Sequence, residues 1–489
     1  MQLNTGRVVF WLGMPALFGA VMQLLIGGAT SAVLTAVVTI MIGLFGFMLA
    51  GMFNGGSWLL LFYLLGNVLV PMYVKTLMGQ PLDSNLRVPM ESYLIVAVCT
   101  AELLCALVVV KHISVGKSLL HPISDVRTLN WLSWGCYWIG ISAWFMTQYL
   151  QAASSAGVGG ASLLQHLLPM AVIARTALLL KDDQKRWALD GTLVAMLASC
   201  VFLGLLTSHK TAAALPVVSY FATVMFYQRA LAFRYIVVIA VAGTFFVGIL
   251  APMLHVWRSL GEADMPLVDR IALIADDAPV IFNGKALTRA KERAESVFSH
   301  GYYNYYGGGG RGQMLTGRYS SVQQIDPVIA EVDEQGERGG AVLWPALVRL
   351  VPAIVYPEKP AEGEAYRVLR GLGLIGPNAG KYPTLPLAGQ VYAAYGWAGV
   401  LFVPFGVFTL FLVAFKKIGW QLQGNVFGIF FFCDFVIVYG HQGDFGQYLA
   451  AVLRNFPLLT VVFIGIMVAS RRRWRWMPPS SRRTYVKGG

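Results

Sequence analysis

The chain reads as an all-α polytopic membrane protein with about twelve transmembrane helices and one large outer (periplasmic) loop. Three observations carry this. Of 489 residues, 57 % are hydrophobic and 12 % are charged, against roughly 45–50 % and 25 % in soluble globular chains. The apolar residues come in runs of about 20, the length that crosses a bilayer core as helix. Lys and Arg gather in alternate connections between those runs, the bias that orients helical membrane proteins. A β-barrel would show alternating strands instead.

The runs place spans at 8–28, 32–51, 58–78, 93–111, 131–150, 161–180, 189–207, 211–227, 235–254, 396–415, 425–439 and 448–470. The sixth follows "AASSAGVGGAS" and carries Gln165, His166 and Arg175. "GATSA" at 28–32 resembles a cleavage site, but the run before it is long for a signal peptide and another span follows at once, so a retained first helix is expected. One set of connections holds Arg7, then Lys111, Lys117 and Arg127, then Lys181, Lys185 and Arg186, then Arg229 and Arg234, then Lys416 and Lys417. The tail 471–489 adds seven Lys/Arg and no acid. This bias predicts that both termini are cytoplasmic. It also accounts for most of the formal +13 charge, as basic residues lying on an anionic leaflet. Nucleic acid is not an expected partner. The organisation is thus an N-terminal bundle 1–254 of nine runs, an outer segment 255–395, C-terminal helices 396–470 and a basic tail 471–489. Cys99, Cys105, Cys136, Cys200 and Cys433 all fall in apolar runs, so no disulfide framework is indicated.

The long polar stretch 251–395 contains fourteen Lys/Arg and fifteen Asp/Glu. Its charges are therefore local rather than a field. At its centre stands "SHGYYNYYGGGGRGQMLTGRYS", residues 299–320. The run Gly307–Gly310 frees the backbone for close approach to a partner. Arg311 and Arg318 carry guanidinium forks that bind phosphate or carboxylate. Tyr302, Tyr303, Tyr305 and Tyr306 offer flat amphipathic rings for sugars or headgroups. The alternative is a flexible loop with interfacial tyrosines. The stretch 341–360 is apolar but broken by Pro345, Pro352, Pro357 and Pro360 and contains Arg349. It reads as an interfacial or re-entrant helix rather than a span.

Ionisable residues at bilayer depth are costly and usually functional. Glu102 falls in the fourth span, and Asp434 in the eleventh. His441 follows Asp434 by seven positions, close to two helical turns, with Asp444 nearby in "GHQGDFGQ". A histidine beside a carboxylate serves as a base or as a fixed polar contact. Lys210, next to His209 at the outer start of the eighth span, is a candidate anion contact; a snorkelling lysine is the plain alternative. No HExxH and no Cys/His cluster points to zinc.

Several of these pieces resemble Wzy-type O-antigen and exopolysaccharide polymerases. "LVPAIVYPEKP" ends in Lys359–Pro360 and is followed by "YPTLPLAGQVYAAYGWAGVLFVPFG", with Gly389, Tyr392, Tyr395, Gly396 and Gly399. "SHKTAAALPVVSYFATVMFYQRA" and the "TGRYS" around Arg318 also match that family's patterns. The likeness covers the second half of the chain. The related ligases carry His-Asn before the return helix, where this chain has "YPTLP" with Thr384. What the resemblance implies is an inverting, metal-independent glycosyl transfer without cofactor, on the outer face of the bacterial inner membrane. It joins polyprenyl-diphosphate-linked repeat units. Arg318, Arg311, Lys210, Arg338 and Arg349 are then expected on the diphosphate, Tyr305 and Tyr306 on sugars, and His441 with Asp444 or Asp434 as the assisting base. A chain-length regulator or a flippase is an expected partner. The rivals are an O-antigen ligase or a peptidoglycan-type glycosyltransferase, and, from another class, a transporter. A transporter predicts two similar halves and broken helices at mid-depth.

Overall fold

The computed structural model describes residues 4–123, 125–153, 162–181, 188–207, 210–228, 320–351, 364–374 and 385–475, with a few isolated positions including Leu254 and Tyr305. Helices α1 (Thr5–Ile26) and α2 (Thr30–Ala50) open the bundle. Asn4 starts α1 by accepting the Gly6 amide, and Gly27 ends it in the left-handed region, as caps of this kind do. Helix α3 (Gly55–Leu64), capped by Asn54, runs through a π-turn at Leu65–Leu69 into α4 (Val70–Leu77). Pro71, just after this turn, brings no amide hydrogen to the ladder, and within the turn Asn67 Nδ2 donates to the Tyr63 carbonyl at 2.7 Å.

The remaining described helices are α5 (Pro89–His112), α6 (Val126–Ala153), α7 (Leu167–Leu180), α8 (Gly191–Leu206), α9 (Lys210–Gln228), α10 (Val322–Gln335), α11 (Trp344–Leu350), α12 (Glu364–Gly371), α13 (Leu387–Ile418), α14 (Val426–Phe431), α15 (Ile437–Gln442), α16 (Phe445–Ala450) and α17 (Phe456–Arg475). Further π-turns, Phe432–Val436 and Ala451–Asn455, join α14 to α15 and α16 to α17. Among the described residues seven helices are long and apolar enough to cross a membrane, and three more apolar helices are shorter. The fold is helical, and strand pairing among these residues is limited to one bridge, Asn54 with Gln421. The expected ninth span, 235–254, lies almost wholly outside the described residues.

The loops sort to two ends as their charges predict. At one end Gly55 N donates to Trp420 O at 2.9 Å and Leu422 N to Phe53 O at 2.9 Å. There too, Leu119 N meets Lys417 O at 2.8 Å. Lys416 Nζ caps the last turn of α5, donating to Val110 O at 2.7 Å and Ile113 O at 2.8 Å. Lys417 Nζ donates to Val115 O at 2.9 Å. At the other end Leu387 N meets Gly443 O, Arg338 N meets Ala393 O, each at 2.9 Å, and Asp326 meets Arg87 and Val88. The first end carries the Lys-rich loops; the second carries the segment after the glycine run.

The expected tenth span, 396–415, falls on the second part of a longer, broken helix. Helix α13 starts at Leu387 and breaks at Tyr395 and Gly396, where Gly396 has φ 53° and ψ −139°. A side chain at Gly396 would also collide with the Glu337 carboxylate, and one at Gly399 with the Val391 carbonyl. The glycines of the "AAYGWAG" stretch therefore let the chain turn sharply and pack on itself. The stretch around Arg349 forms only a seven-residue helix, α11, ending before Pro352. Its Trp344 is 64 % exposed and Leu347 is also exposed, as an interfacial helix requires.

Candidate functional site

The outer end is a built structure. Helix α10 is held in the core by Val322, Ile325, Val328 and Ile329, all fully buried. Its Asp326 accepts the amides of Arg87 and Val88, both at 2.8 Å, and the Ser92 hydroxyl at 3.1 Å. The carboxylate thus closes the open amide end of α5, where Pro89 leaves no amide to satisfy. Burial raises the Asp326 pKa, against the pull of those donors and of Arg87. Arg87 pairs with Glu331 at 2.6 Å; the bond raises the guanidinium and lowers the carboxyl. Tyr392 donates to Asp333 at 2.7 Å, tying α13 to α10. Ser320, Gln323 and Gln390 are buried in the same region with side-chain atoms that lack partners.

The residues expected to bind substrate fall into three groups. Arg318, Arg311 and Tyr306 lie outside the described residues. Lys210 opens α9, Arg349 sits in α11 and His441 lies in α15; their side chains are likewise outside the description. The others have definite partners. Tyr305 is buried: its hydroxyl donates to Leu82 O and lies 2.8 Å from that of Tyr93, while Lys75 Nζ stands 4.2 Å from its ring centroid. Its ring faces an ammonium rather than an open sugar groove. Lys75 in turn is fully buried and donates to the Ser84 carbonyl and hydroxyl. Asp444 caps α16 in a reciprocal box with Gln447. Arg338 donates to the Gln335 side chain and to Gly371 O, linking α10 to the end of α12.

Asp434 has a different partner from the expected His441. Its Oδ1 lies 2.7 Å from Nδ1 of His166. Asp434 occupies the π-turn Phe432–Val436, a widened turn that pushes one residue out of the regular ladder and often marks a functional position. His166 sits in the turn that precedes α7 and stacks on Phe435 at 6.4 Å. The Asp434 side chain is 1 % exposed and that of His166 44 %, so the carboxylate is sealed and the imidazole is partly accessible. The neighbouring π-turn, Ala451–Asn455, contributes Arg454, whose charge acts on the same imidazole. Sequence could flag these as ionisable residues in apolar runs, but not as a pair, since 268 residues separate them.

Among the described residues no group of three or more His, Cys, Asp or Glu is placed to hold a metal ion, and the cysteines are unpaired thiols. No protein-family model, curated protein or solved structure matches the chain.

Proposed function

We propose that the protein is a membrane-embedded glycosyltransferase that joins polyprenyl-diphosphate-linked oligosaccharide units at the outer face of a bacterial inner membrane. The observation that carries this reading is the docking of α10 by Asp326 on the outer end of α5. Ser320, which opens that docked segment, is fully buried and follows Arg318 by two residues. An arginine so close in sequence to this docked segment is suited to a diphosphate whose lipid tail stays in the bilayer. Guanidinium charge there neutralises the leaving group as the glycosidic bond breaks. The broken α13, packed on α10, supplies a buried, shaped floor rather than a plain span.

The test uses purified protein in detergent with lipid-linked glycans extracted from its own host, and carbohydrate-stained gels. A ladder from wild type that Arg318→Ala protein of equal abundance fails to make is the expected result. A single addition to a core lipid would make the protein a ligase. A wild-type preparation that binds glycolipid but yields no product would end the reading.

A second reading, a proton-coupled transporter, is favoured by one observation: a His166–Asp434 contact between helices of the bundle, with Asp434 in a helix interrupted by a π-turn. Proton flux in sealed proteoliposomes on adding glycolipid separates it from the first.

A further inference from the structure

We propose that His166, oriented by Asp434, is the proton acceptor for the attacking sugar hydroxyl. This assignment rests on the glycosyl-transfer reading above, and supplies that reading with a base that the sequence did not identify.

Three observations point to it. The first is cost. Asp434 is sealed from solvent, and among the described residues its Oδ2 has no hydrogen-bond partner. A half-satisfied buried carboxylate is destabilising relative to an apolar side chain of that size. Shape alone does not call for an acid there. The second is geometry. Nδ1 of His166 is engaged by the carboxylate, and among the described residues Nε2 has no partner. One nitrogen fixed by a carboxylate and the other open is the arrangement that holds an imidazole in the tautomer able to take a proton. The third is position. His166 is the residue immediately before α7 (Leu167–Leu180). Lys181, at the far end of that helix, donates to Ile123 O at 3.0 Å among the Lys-rich loops. His166 is therefore near the opposite end, where α10 docks. That depth suits a substrate anchored by a polyprenyl tail.

The step balances simply. The acceptor hydroxyl oxygen attacks the anomeric carbon of the donor. Its proton passes to Nε2 of His166, and the imidazolium is held by the Asp434 carboxylate. The bond from the anomeric carbon to the phosphate oxygen breaks, and the diphosphate leaves with the electron pair. Among the described residues, the charged groups that act on the imidazole are Asp434 on the α14–α15 helix and Arg454 on the α16–α17 helix, and Tyr439 acts on Asp434 from the same helix.

The experiment measures initial polymerisation rates across pH 5–9 with the same glycolipid extract. The proteins are wild type, His166→Ala, His166→Gln and Asp434→Asn, each checked for monodispersity. The expected result is a roughly 10²- to 10⁴-fold loss in His166→Ala, the usual worth of a general base. The acid limb of the wild-type profile should vanish in that variant, and added imidazole should restore part of its rate. Rescue also shows that the variant is folded. His166→Gln should lose activity similarly while keeping a bond to Asp434. Asp434→Asn should lose rate and shift the acid limb. If wild type makes a ladder and either His166 variant keeps the rate and the acid limb, the assignment is overturned while glycosyl transfer stands. If wild type makes none, glycosyl transfer and the assignment fall together.

Discussion

Asp326 holds the amide of Val88 at 2.8 Å, 238 residues away along the chain. With the second contact to Arg87 N, this carboxylate is both the cap of one helix and the mooring of another. Asp326→Ala leaves those two amides without an acceptor. The expected cost is about 2 kcal/mol, seen as a lower unfolding temperature in detergent. Amide exchange across Val322–Gln335 should quicken in the same protein. Asp326→Asn, which keeps one acceptor, should lose less.

The Arg87–Glu331 pair gives a pH signature. The bond from Arg87 holds the Glu331 pKa below its ordinary 4.5. A lowered acid stabilises the fold above its unfolded pKa and stops doing so as pH falls through the folded value. The pair is partly exposed, so its worth is under about 1 kcal/mol. Exchange protection of α10 should therefore differ between wild type and Arg87→Gln at about pH 6, and the difference should fade as pH drops through the lowered Glu331 pKa. A difference that persists well below that pKa would show that Arg87 acts through packing instead.

Gly396, at the break in α13, and Gly406, within the helix that follows it, make a matched pair. Gly396 has a positive φ and faces Glu337, whereas nothing lies within 4 Å of a side chain added at Gly406. Gly396→Ala should destabilise by about 1–3 kcal/mol. Gly406→Ala should stabilise by up to about 1 kcal/mol through helix propensity. Thermal unfolding of the two variants in one detergent checks both signs.

Tyr305→Phe removes a buried hydroxyl that serves Leu82 O and Tyr93. The expected loss is about 1 kcal/mol, with faster proteolytic cutting in 299–320. Equal cutting rates in wild type and variant would mean that this tyrosine does not hold the segment in solution.

With the five native cysteines replaced, Asn85→Cys and Gly336→Cys should react with an impermeant thiol reagent from one side of sealed vesicles. Lys117→Cys and Gln423→Cys should react from the other. Any of these four labelling with the opposite pair would break the two-ended arrangement of the loops.

The spans were legible because they rest on composition, and the grouping of loops because it rests on Lys and Arg. Helix ends were less so. Leu387–Ala394 reads as part of the outer segment, and it is helical and buried where α10 packs on it, which no local pattern encodes. The "AAYGWAG" glycines carry a family likeness in sequence; the break at Gly396 gives them a physical reason. Tyr305 reads as a ring offered to sugars, and its burial against Lys75 depends on a distant stretch of chain. The His166–Asp434 contact was out of reach for the same reason: a carboxylate and an imidazole 268 residues apart share no spacing.

Lys416 reaches the Val110 carbonyl across 306 residues. At translation rates of 5–20 residues per second, roughly 15–60 s pass between the synthesis of the two. During that interval α5 is already inserted, its last carbonyls are uncapped and the flank destined for α13 faces lipid or a chaperone. A contact of this span can form only after α13 has been made, so closure of this part of the core comes late in synthesis. The first half waits in the bilayer as an unfinished groove, and a ribosome that stops before α13 leaves behind a chain that is embedded but has no closed core.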